Sequence, residues 1–410
     1  MALHVMDEAN RCLQCKKPQC QKGCPIGTNI PEAIRLLKEN KLNEAGWMLF
    51  ENNPLTTVCS LVCNHEKQCE GHCVLGKKGA PVHFSVIENY ISSTYANQMT
   101  KGPAPSNGMR VAIIGSGPAG ITIAIILARY GYQVTIFEGK DKIGGVLRYG
   151  IPEFRLPKSV LDDIEYRHLE LKGIKVRPNT TIGGAITIED LFRDGYKAIF
   201  VGTGVWKPNS LKIKGESLGH VHFGINYLNN PDSYKLGNKV IVIGAGNAAM
   251  DVARTAIRKG SHDLTCYSIT KKVAASEYEF SYAQLEGVKF EYNKKPVEIV
   301  DEGVIFRDVI EHEDGTFEEV EGSDTLHTAD SVIISISQGP QSRLVNTTEG
   351  LKANARGLLA ADERGFTSRP GIFASGDVVN GARTVVEAVA HSKVVAEAMH
   401  EYMQSLPKED

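Results

Sequence analysis

Eight of the nine cysteines lie in two groups between residues 12 and 73, with spacings that suit a metal centre. Thiolate sulfur is a soft ligand, which suits zinc or iron–sulfur clusters. Structural zinc sites usually show two C-x2-C pairs, whereas the first group has one such pair, then wider steps and a final Cys-Pro. That spacing favours iron–sulfur clusters over zinc. The two groups are Cys12, Cys15, Cys20 and Cys24, and Cys59, Cys63, Cys69 and Cys73.

A G-x-G-x-x-G motif follows the cysteines and has the spacing of a dinucleotide site. The apolar run 111–114 predicts a buried strand, and the run 121–127 beyond the glycines predicts a buried helix. Such glycines permit a tight turn, close approach of a pyrophosphate and helix–strand packing. The motif alone also fits an ordinary turn, but the next predicted strand, 134–137, ends at an acid that can bind a ribose hydroxyl. The predicted binding residues are Gly115, Gly117, Pro118, Ala119, Gly120 and Glu138.

A second motif of this kind, G-x-G-x-x-A, lies between a predicted strand, 239–243, and a predicted helix, 250–259. This variant is typical of NAD(P) sites. Hydride transfer between a nicotinamide and a flavin requires two separate nucleotide sites, so the pair of motifs predicts an oxidoreductase. The predicted NAD(P)-binding residues are Gly244, Gly246, Asn247, Ala248 and Ala249.

Composition narrows the class of protein. The 410 residues allow two to four domains, and a net charge of −2 gives no electrostatic case for binding nucleic acid or an anionic membrane. No apolar run approaches the ~18 residues of a membrane span, and no secretory signal is visible, so the simplest compartment is the cytoplasm. No Ser-His-Asp or metal-hydrolase pattern is present, and we assign no catalytic side chain.

Helices must position the cysteines. Residues 30–53 have helical spacing of apolar residues, with Pro31 in the first turn, and these helices would bring the second group back over the first. A further helix is predicted over 84–91 and carries Glu88, which also fits a solvated helix face. The Pro- and Gly-rich stretch 101–107 predicts a linker.

A family resemblance rests on five short sequence segments: RCLQC, CQKGCP, ENNPL, CEGHC and APVHFSVIE. The region resembles the N-terminal domain shared by the small subunit of bacterial glutamate synthase, dihydropyrimidine dehydrogenase and a bifurcating ferredoxin:NADP transhydrogenase. One departure is Asn64, where that family usually has proline, and Cys59 is left spare. The resemblance implies two [4Fe–4S] clusters with crossed ligation, one held by Cys12, Cys15, Cys20 and Cys73, the other by Cys24, Cys63, Cys69 and Glu88.

The same resemblance implies that the first dinucleotide is FAD. The glycine pair Gly144-Gly145 precedes GIPEFRLPK, and AIFVGTG ends at Gly204, where such domains pass into an inserted domain. The strand 331–336 is expected to return the chain to the FAD domain. In GIFASGD, Gly376 and Asp377 would meet the ribityl chain, although Asp377 alone also fits a turn or cap. A helix beginning near Thr384 would direct its positive end at the flavin.

The choice of nicotinamide follows from one loop. NADP-using relatives in this family carry an arginine pair after the second strand, where this chain has Ser268, Ile269 and Thr270 and then two lysines. The terminal acid typical of NAD sites is also missing. We expect NADH, although lysines can still attract a phosphate as point charges.

These inferences predict an α/β fold with two Rossmann-type domains, the NAD(P) domain inserted in the FAD domain, after an α-helical iron–sulfur domain. The expected function is electron input from NAD(P)H through FAD and two [4Fe–4S] clusters to a catalytic partner subunit of the glutamate synthase or dihydropyrimidine dehydrogenase type. Alternatives are a stand-alone diaphorase, a transhydrogenase-type subunit and a redox-silent protein that binds zinc and a dinucleotide. The predicted domains are 1–100, 101–205 with 330–410, and 206–329.

Overall fold

A computed structural model of the chain describes residues 4–96 and 102–407. The chain forms two compact units. The first contains the residues up to Leu147, Glu153–Val205 and those from Pro340 onward, and the second contains Arg148–Pro152 and Trp206–Gly339. Lys101, the first residue of the predicted linker, lies outside the described residues.

Short helices make up the cysteine region. Pro31 lies in the first turn of the third helix, and Ile30, Ala33, Ile34 and Leu37 turn one buried face inward. The predicted helical stretch 30–53 is confirmed, with a break between the third and fourth helices. The helices are α1 Val5–Arg11, α2 Gln19–Gly23, α3 Ile30–Lys38, α4 Leu42–Asn52, α5 Thr56–Val62 and α6 Phe84–Ala96, with a 3₁₀ turn at Val74–Lys77.

Strands and helices alternate after the cysteine region, as a parallel sheet requires. The apolar run of the first strand is fully buried and passes directly into the glycine turn, as predicted. The elements are β1 Arg110–Ile114, α7 Pro118–Arg129, β2 Gln133–Phe137, α8 Val146–Tyr149, α9 Lys158–Ile164, β3 Lys175–Arg177, α10 Ile188–Arg193 and β4 Tyr196–Val201, with π and 3₁₀ turns at Glu165–Leu169 and Glu170–Lys172.

The second unit repeats this pattern and adds an antiparallel sheet. Its first long strand leads into the second glycine motif and a helix, as predicted. The elements are β5 Lys207–Pro208, β6 Val221–Phe223, α11 Gly224–Asn229, β7 Lys239–Ile243, α12 Asn247–Arg258, β8 Asp263–Tyr267, α13 Glu277–Leu285, β9 Lys289–Glu291, β10 Lys294–Val300, β11 Gly303–Glu311, β12 Phe317–Glu319, β13 Thr325–Thr328, β14 Ser331–Ile334 and β15 Gln338–Gly339, with a 3₁₀ turn at Pro231–Ser233.

The chain then completes the first unit. Its remaining elements are α14 Arg343–Thr347, β16 Ile372–Ala374, α15 Asp377–Asn380 and α16 Val385–Ser405. The first unit holds a parallel sheet in the order β16-β4-β1-β2-β3, and the second holds one in the order β6-β14-β7-β8-β9. Parallel sheets bind ligands at the carboxyl ends of their strands, where both glycine motifs lie.

Two expectations about the strands are corrected. β14 was expected to return the chain to the FAD domain at residue 330, but it pairs with β6 and β7 in the second sheet. A wholly apolar strand fits the middle of either sheet, so its sequence does not distinguish them. The charged stretch 304–325, with Gly315 at a turn, predicts a hairpin of exposed strands, but Val304, Phe306 and Val309 of β11 are buried.

Across the described ranges, no helix has both the length and the hydropathy of a bilayer span.

Candidate functional site

The first glycine motif forms the turn between β1 and α7. Gly115 has φ +96°, and a Cβ there would lie 2.6 Å from the carbonyl oxygen of Gly202. A Cβ on Gly120 would overlap the carbonyl oxygen of Gly115. Gly117 is different, because open space surrounds the position its Cβ would take. The turn therefore needs glycine at both ends for packing and leaves its middle open for a phosphate at the start of α7.

Glu138 follows β2 and is buried beside this turn. Its Oε2 accepts a hydrogen bond from the Ser116 backbone N–H at 2.9 Å, and its Oε1 accepts one from the Lys140 N–H at 2.7 Å. These bonds fix the carboxylate at the carboxyl edge of the sheet. Oε2 also accepts from the Ser116 hydroxyl, whereas Oε1 keeps a second lone pair that can accept from a ribose hydroxyl.

The other predicted flavin residues converge on the same turn. A Cβ on Gly145 would lie 2.8 Å from the Gly117 Cα, and one on Gly376 would lie 3.0 Å from the Ala119 Cβ. The Gly144 N–H donates to the Ser116 carbonyl oxygen at 3.0 Å. Pro118 occupies the first turn of α7, and Gly204 has φ +68° beyond β4. The structure therefore brings the two glycine-rich segments together around the start of α7.

Asp377 begins α15 and lines a cleft of about 420 Å³. Burial raises the pKa of its carboxyl to about 6, an effect opposed by the Arg383 backbone N–H, which donates to it at 3.2 Å. The same cleft is lined by Gly376 and by Pro25, the residue that follows Cys24. A flavin-side acid and the cysteine region thus share one cavity within the first unit.

Thr384 caps α16, as predicted, but Glu387 completes a capping box that we did not predict. The Thr384 N–H donates to the Glu387 side chain at 3.0 Å, and the Thr384 hydroxyl accepts from the Glu387 N–H. The box places a carboxylate at the helix end expected to face the flavin. The sequence signal was present, because Thr-Val-Val-Glu is a capping-box pattern.

The second glycine motif forms the turn between β7 and α12. Gly244 has φ +133°, and a Cβ there would overlap the carbonyl oxygen of Ser335. Gly246 borders open space, and Ala249 is fully buried. Asn247 accepts the Ser276 N–H on its side-chain oxygen at 2.9 Å, which ties the turn to α13. Ala248 lies in the first turn of α12.

The loop after β8 carries no arginine at the positions expected to contact a 2′-phosphate. The buried Ser268 hydroxyl lies 2.8 Å from the Thr270 hydroxyl, and Ile269 is exposed. The Lys271 backbone N–H donates to Glu311 Oε2 at 2.7 Å, so a carboxylate reaches this loop from β11. Sequence reasoning missed Glu311, which is 40 residues away along the chain.

The first predicted cysteine set lines one cavity, which holds Cys12, Cys15, Cys20 and Cys73, and also Cys69. Burial, together with the neighbouring thiols of Cys73, Cys12 and Cys15, raises the pKa of Cys20 to about 11. Four half-buried thiolates that line one cavity need a compensating positive charge, which the iron of a cluster would provide. The donor set therefore fits a [4Fe–4S] cluster.

The second predicted set also lies together. Glu88 is buried at 6% exposure, so the interpretation of this residue as a solvated helix position is wrong. Thr56 donates to Glu88 at 2.7 Å, and burial raises the pKa of Glu88 to about 7. Burial raises the pKa of Cys69, as do Glu88 and Cys24, and a hydrogen bond with Cys59 raises that of Cys63. This set fits a second cluster. In the described part of the chain, no three His, Cys, Asp or Glu side chains converge on the position of a single ion.

Comparisons with known proteins decide the family. Residues 109–392 match the family model "Pyridine nucleotide-disulphide oxidoreductase", and residues 2–100 match "Dihydropyrimidine dehydrogenase domain II, 4Fe-4S cluster". The chain belongs to the pyridine nucleotide-disulphide oxidoreductase family. It is an NAD(P)H-dependent flavin oxidoreductase that binds FAD and NAD(P) and carries an N-terminal 4Fe–4S domain, as the sequence predicted.

Two relatives of this oxidoreductase match over nearly its whole length. It is 33% identical to "Glutamate synthase [NADPH] small chain" of Azospirillum brasilense, over 97% of this chain and 89% of the relative. It is 32% identical to "NAD-dependent dihydropyrimidine dehydrogenase subunit PreT" of Salmonella typhimurium, over 98% and 95%. The resemblance stated from the cysteine motifs is confirmed.

Two solved structures share the fold of this chain. Thioredoxin reductase of T. acidophilum has a TM-score of 0.56 and 23% identity, covering 72% of this chain and 98% of its own. FprA of Mycobacterium tuberculosis has a TM-score of 0.60 and 15% identity, covering 73% and 85%. The predicted α/β fold class is confirmed.

A contact that sequence reasoning missed joins the iron–sulfur region of this oxidoreductase to α16. Lys393 donates to the Asn52 carbonyl oxygen at 2.8 Å and to its side-chain oxygen at 2.9 Å. The Asn52 amide donates to the Thr28 hydroxyl at 3.2 Å, and that hydroxyl lies 3.4 Å from the Cys24 sulfur. Burial lowers the pKa of Lys393. A predicted cluster ligand is thus connected to the helix capped by Thr384.

Proposed function

We propose that this chain is an electron-input subunit, which takes a hydride from NAD(P)H onto FAD and passes electrons singly through two [4Fe–4S] clusters to a catalytic partner. The observation that carries the proposal is the cleft shared by Gly376, Asp377 and Pro25. Because electron tunnelling falls steeply with distance, a cysteine turn within the flavin cleft suits transfer better than a remote structural metal would.

The roles of the chain's own residues follow from their positions. The open Gly117 turn and the start of α7 would bind the FAD pyrophosphate, and Glu138 would bind its ribose. Bound FAD supplies the step from two-electron to one-electron chemistry, and bound clusters supply one-electron transfer. The two cysteine sets, with Glu88, would hold those clusters, and no side chain would have to move a proton as an acid or base.

We infer that the nicotinamide substrate is NADH. Ser268 and Ile269 offer no guanidinium to a 2′-phosphate, and Glu311 places a carboxylate on the same loop. A carboxylate there repels a phosphate and accepts hydroxyl hydrogen bonds. One of the two relatives is named for NADPH and the other is named NAD-dependent, so family membership alone does not choose between NADH and NADPH.

The partner is proposed from the relatives' names, which describe a small chain of glutamate synthase and a subunit of dihydropyrimidine dehydrogenase. Anaerobic affinity capture of the chain from its native cells tests this proposal. A stoichiometric glutaminase-bearing or pyrimidine-binding protein supports the subunit role, whereas activity of the isolated chain on a small natural acceptor supports the diaphorase alternative.

A ligand replacement tests the electron route. We expect Cys20→Ser to lose one cluster, with about half the iron, and to leave flavin reduction by NADH intact, because Cys20 lies in the cysteine cavity and not at the glycine turn. Iron analysis measures the loss of the cluster, and anaerobic absorbance measures the reduction of the flavin by NADH. Loss of flavin reduction while FAD stays bound, or zinc in place of iron in the wild type, contradicts the proposal.

A further inference from the structure

Exposed lysines flank the cysteines of the first set along the chain. Residues 12–31 contain three lysines and no aspartate, glutamate or arginine, in a protein whose net charge is −2. All three lysines are exposed. Two more exposed lysines follow Cys73, at the end of the 3₁₀ turn Val74–Lys77 and just after it. We call these five residues the basic collar: Lys16, Lys17, Lys22, Lys77 and Lys78.

The charge of the basic collar is not neutralised by ion pairs, since no partner carboxylate is found for its lysines among residues 4–96 and 102–407. Glu8 and Glu70, two acids of the same domain, are buried and already bonded. Glu8 accepts from Arg11 at 2.9 Å, and Glu70 accepts the Ser85 N–H at 2.9 Å. The collar therefore presents its full charge to solvent.

An exposed apolar residue lies beside the first two cysteines and three residues before Lys16. Leu13, between Cys12 and Cys15, is 62% exposed and lines the same cavity as those cysteines. Exposed apolar area inside a charged rim is the arrangement of protein–protein interfaces. In the second set, Cys69 and Glu88 are themselves buried.

We propose that the basic collar and Leu13 form the docking surface for a protein electron acceptor whose own redox centre is surrounded by carboxylates. This inference rests on the proposed function, and it names where electrons leave and the chemistry of the partner. One electron passes from this chain's reduced centre to the oxidised centre of the acceptor, with no bond made or broken, and NADH is the reductant. Opposite charges guide encounter and can raise association rates by roughly 10- to 1,000-fold.

The experiment uses the holoprotein and an oxidised plant-type [2Fe–2S] ferredoxin as an acidic probe. Calorimetry measures its binding, and anaerobic stopped-flow measures its reduction after excess NADH. We expect both to weaken steeply between about 0.01 M and about 1 M salt, because the Debye length shrinks from about 30 Å to about 3 Å. The variant Lys16→Gln/Lys17→Gln/Lys22→Gln should bind at least about tenfold more weakly at low salt and lose most salt dependence.

The matched control is Lys175→Gln/Lys212→Gln/Lys352→Gln, which removes three exposed lysines elsewhere and should behave as wild type. The triple collar variant could lose iron because Lys16 adjoins Cys15. In that case the variant Lys77→Gln/Lys78→Gln shows whether the collar is needed for ferredoxin binding. Ferredoxin binding that is unchanged in collar variants overturns the docking surface. So does collar-dependent binding to anionic vesicles with none to ferredoxin.

The two proposals fail separately in this experiment. Cluster reduction by NADH is recorded without ferredoxin, so its absence contradicts the electron route while calorimetry still tests the collar. Reduced clusters together with collar-independent binding contradict only the docking surface.

Discussion

The two glycine turns of this chain have the same spacing and nearly the same backbone course, but they differ at the third position. In the first turn a Cβ on Gly120 would overlap the carbonyl oxygen of Gly115, whereas the second turn accommodates the methyl group of Ala249 in a fully buried position. α7 must therefore approach its strand more closely than α12 does. A single motif thus describes two packing arrangements of different tightness.

The turns also differ where the second strand ends. Glu138 is fixed by two backbone N–H groups, while the corresponding Ser268 pairs with its neighbour Thr270. A carboxylate held in place before the ligand arrives reduces the cost of ordering it on binding. The first turn is thus suited to a cofactor that stays bound, and the second to one that exchanges at each turnover.

The largest effect is expected from adding one methyl group to the first turn. Gly120→Ala pushes a Cβ into backbone, and overpacking of this kind costs about 1–3 kcal/mol or more. We expect the variant to be purified with less than about a tenth of the wild-type FAD. The FAD-to-protein ratio measures this, with circular dichroism to show that the fold is kept.

The reciprocal control is Ala249→Gly, which removes a methyl group from the second turn. It should keep its FAD and change the KM for NADH only slightly, since glycine in a helix costs about 1 kcal/mol. Equal FAD loss in both variants would show that the turns do not differ in tightness.

The next largest effect is expected from replacing Glu138, whose carboxylate is held by two backbone N–H groups. Glu138→Gln presents an amide N–H₂ to one of two backbone donors, and a lost hydrogen bond to a charged group costs about 1.5–3 kcal/mol. FAD affinity should fall roughly 10- to 100-fold, measured by reconstitution of stripped protein. Ser268→Ala is the matched change in the second turn, and a comparable loss of FAD affinity there would contradict the assignment.

A smaller effect is expected on nicotinamide choice. Ile269→Arg adds a guanidinium on the exposed loop after β8, and arginine pairs well with phosphate. The ratio of kcat/KM for NADPH over NADH should rise roughly tenfold. Ile269→Gln controls for size without charge. If the wild type already prefers NADPH, our inference about the loop is wrong.

The smallest effect is expected from replacing Asp377, an acid of the flavin cleft that the second turn lacks. The pKa of Asp377 is raised from 3.8 to about 6 in the folded protein, so the folded state binds more protons and loses stability as pH rises through this window. FAD-free Asp377→Asn should therefore be more stable than wild type at pH about 8, by about 1–3 kcal/mol at most, and equal to it at pH about 4. Thermal unfolding measures this, and a difference that is the same at both pH values would contradict the cause given.

The sequence was sufficient for features that depend on local chemistry. Gly115 and Gly244 have positive φ and contact backbone closely, which is why both motifs were recognisable. The start of α16 followed from Thr384. Glu88 was found through the family resemblance alone, since nothing in its helix reveals that it is buried.

Features that depend on long-range contacts were not predictable. Lys393 and Asn52 are 341 residues apart, and neither has an unusual local pattern. β14 was assigned to the wrong sheet because a run of buried apolar residues fits both. Glu311 reaches the loop after β8 from an antiparallel sheet that has no counterpart among the described residues of the first unit.

Electron transfer from FAD to the cysteine domain is tested by an anaerobic titration of the purified chain with NADH. Absorbance and electron paramagnetic resonance follow the titration. We predict that the flavin is bleached and that signals from two reduced iron–sulfur clusters then appear. In Cys20→Ser one of these two cluster signals should be lost. A bleached flavin with no cluster signal, in protein that contains its full iron, would contradict electron transfer from FAD to the cysteine domain.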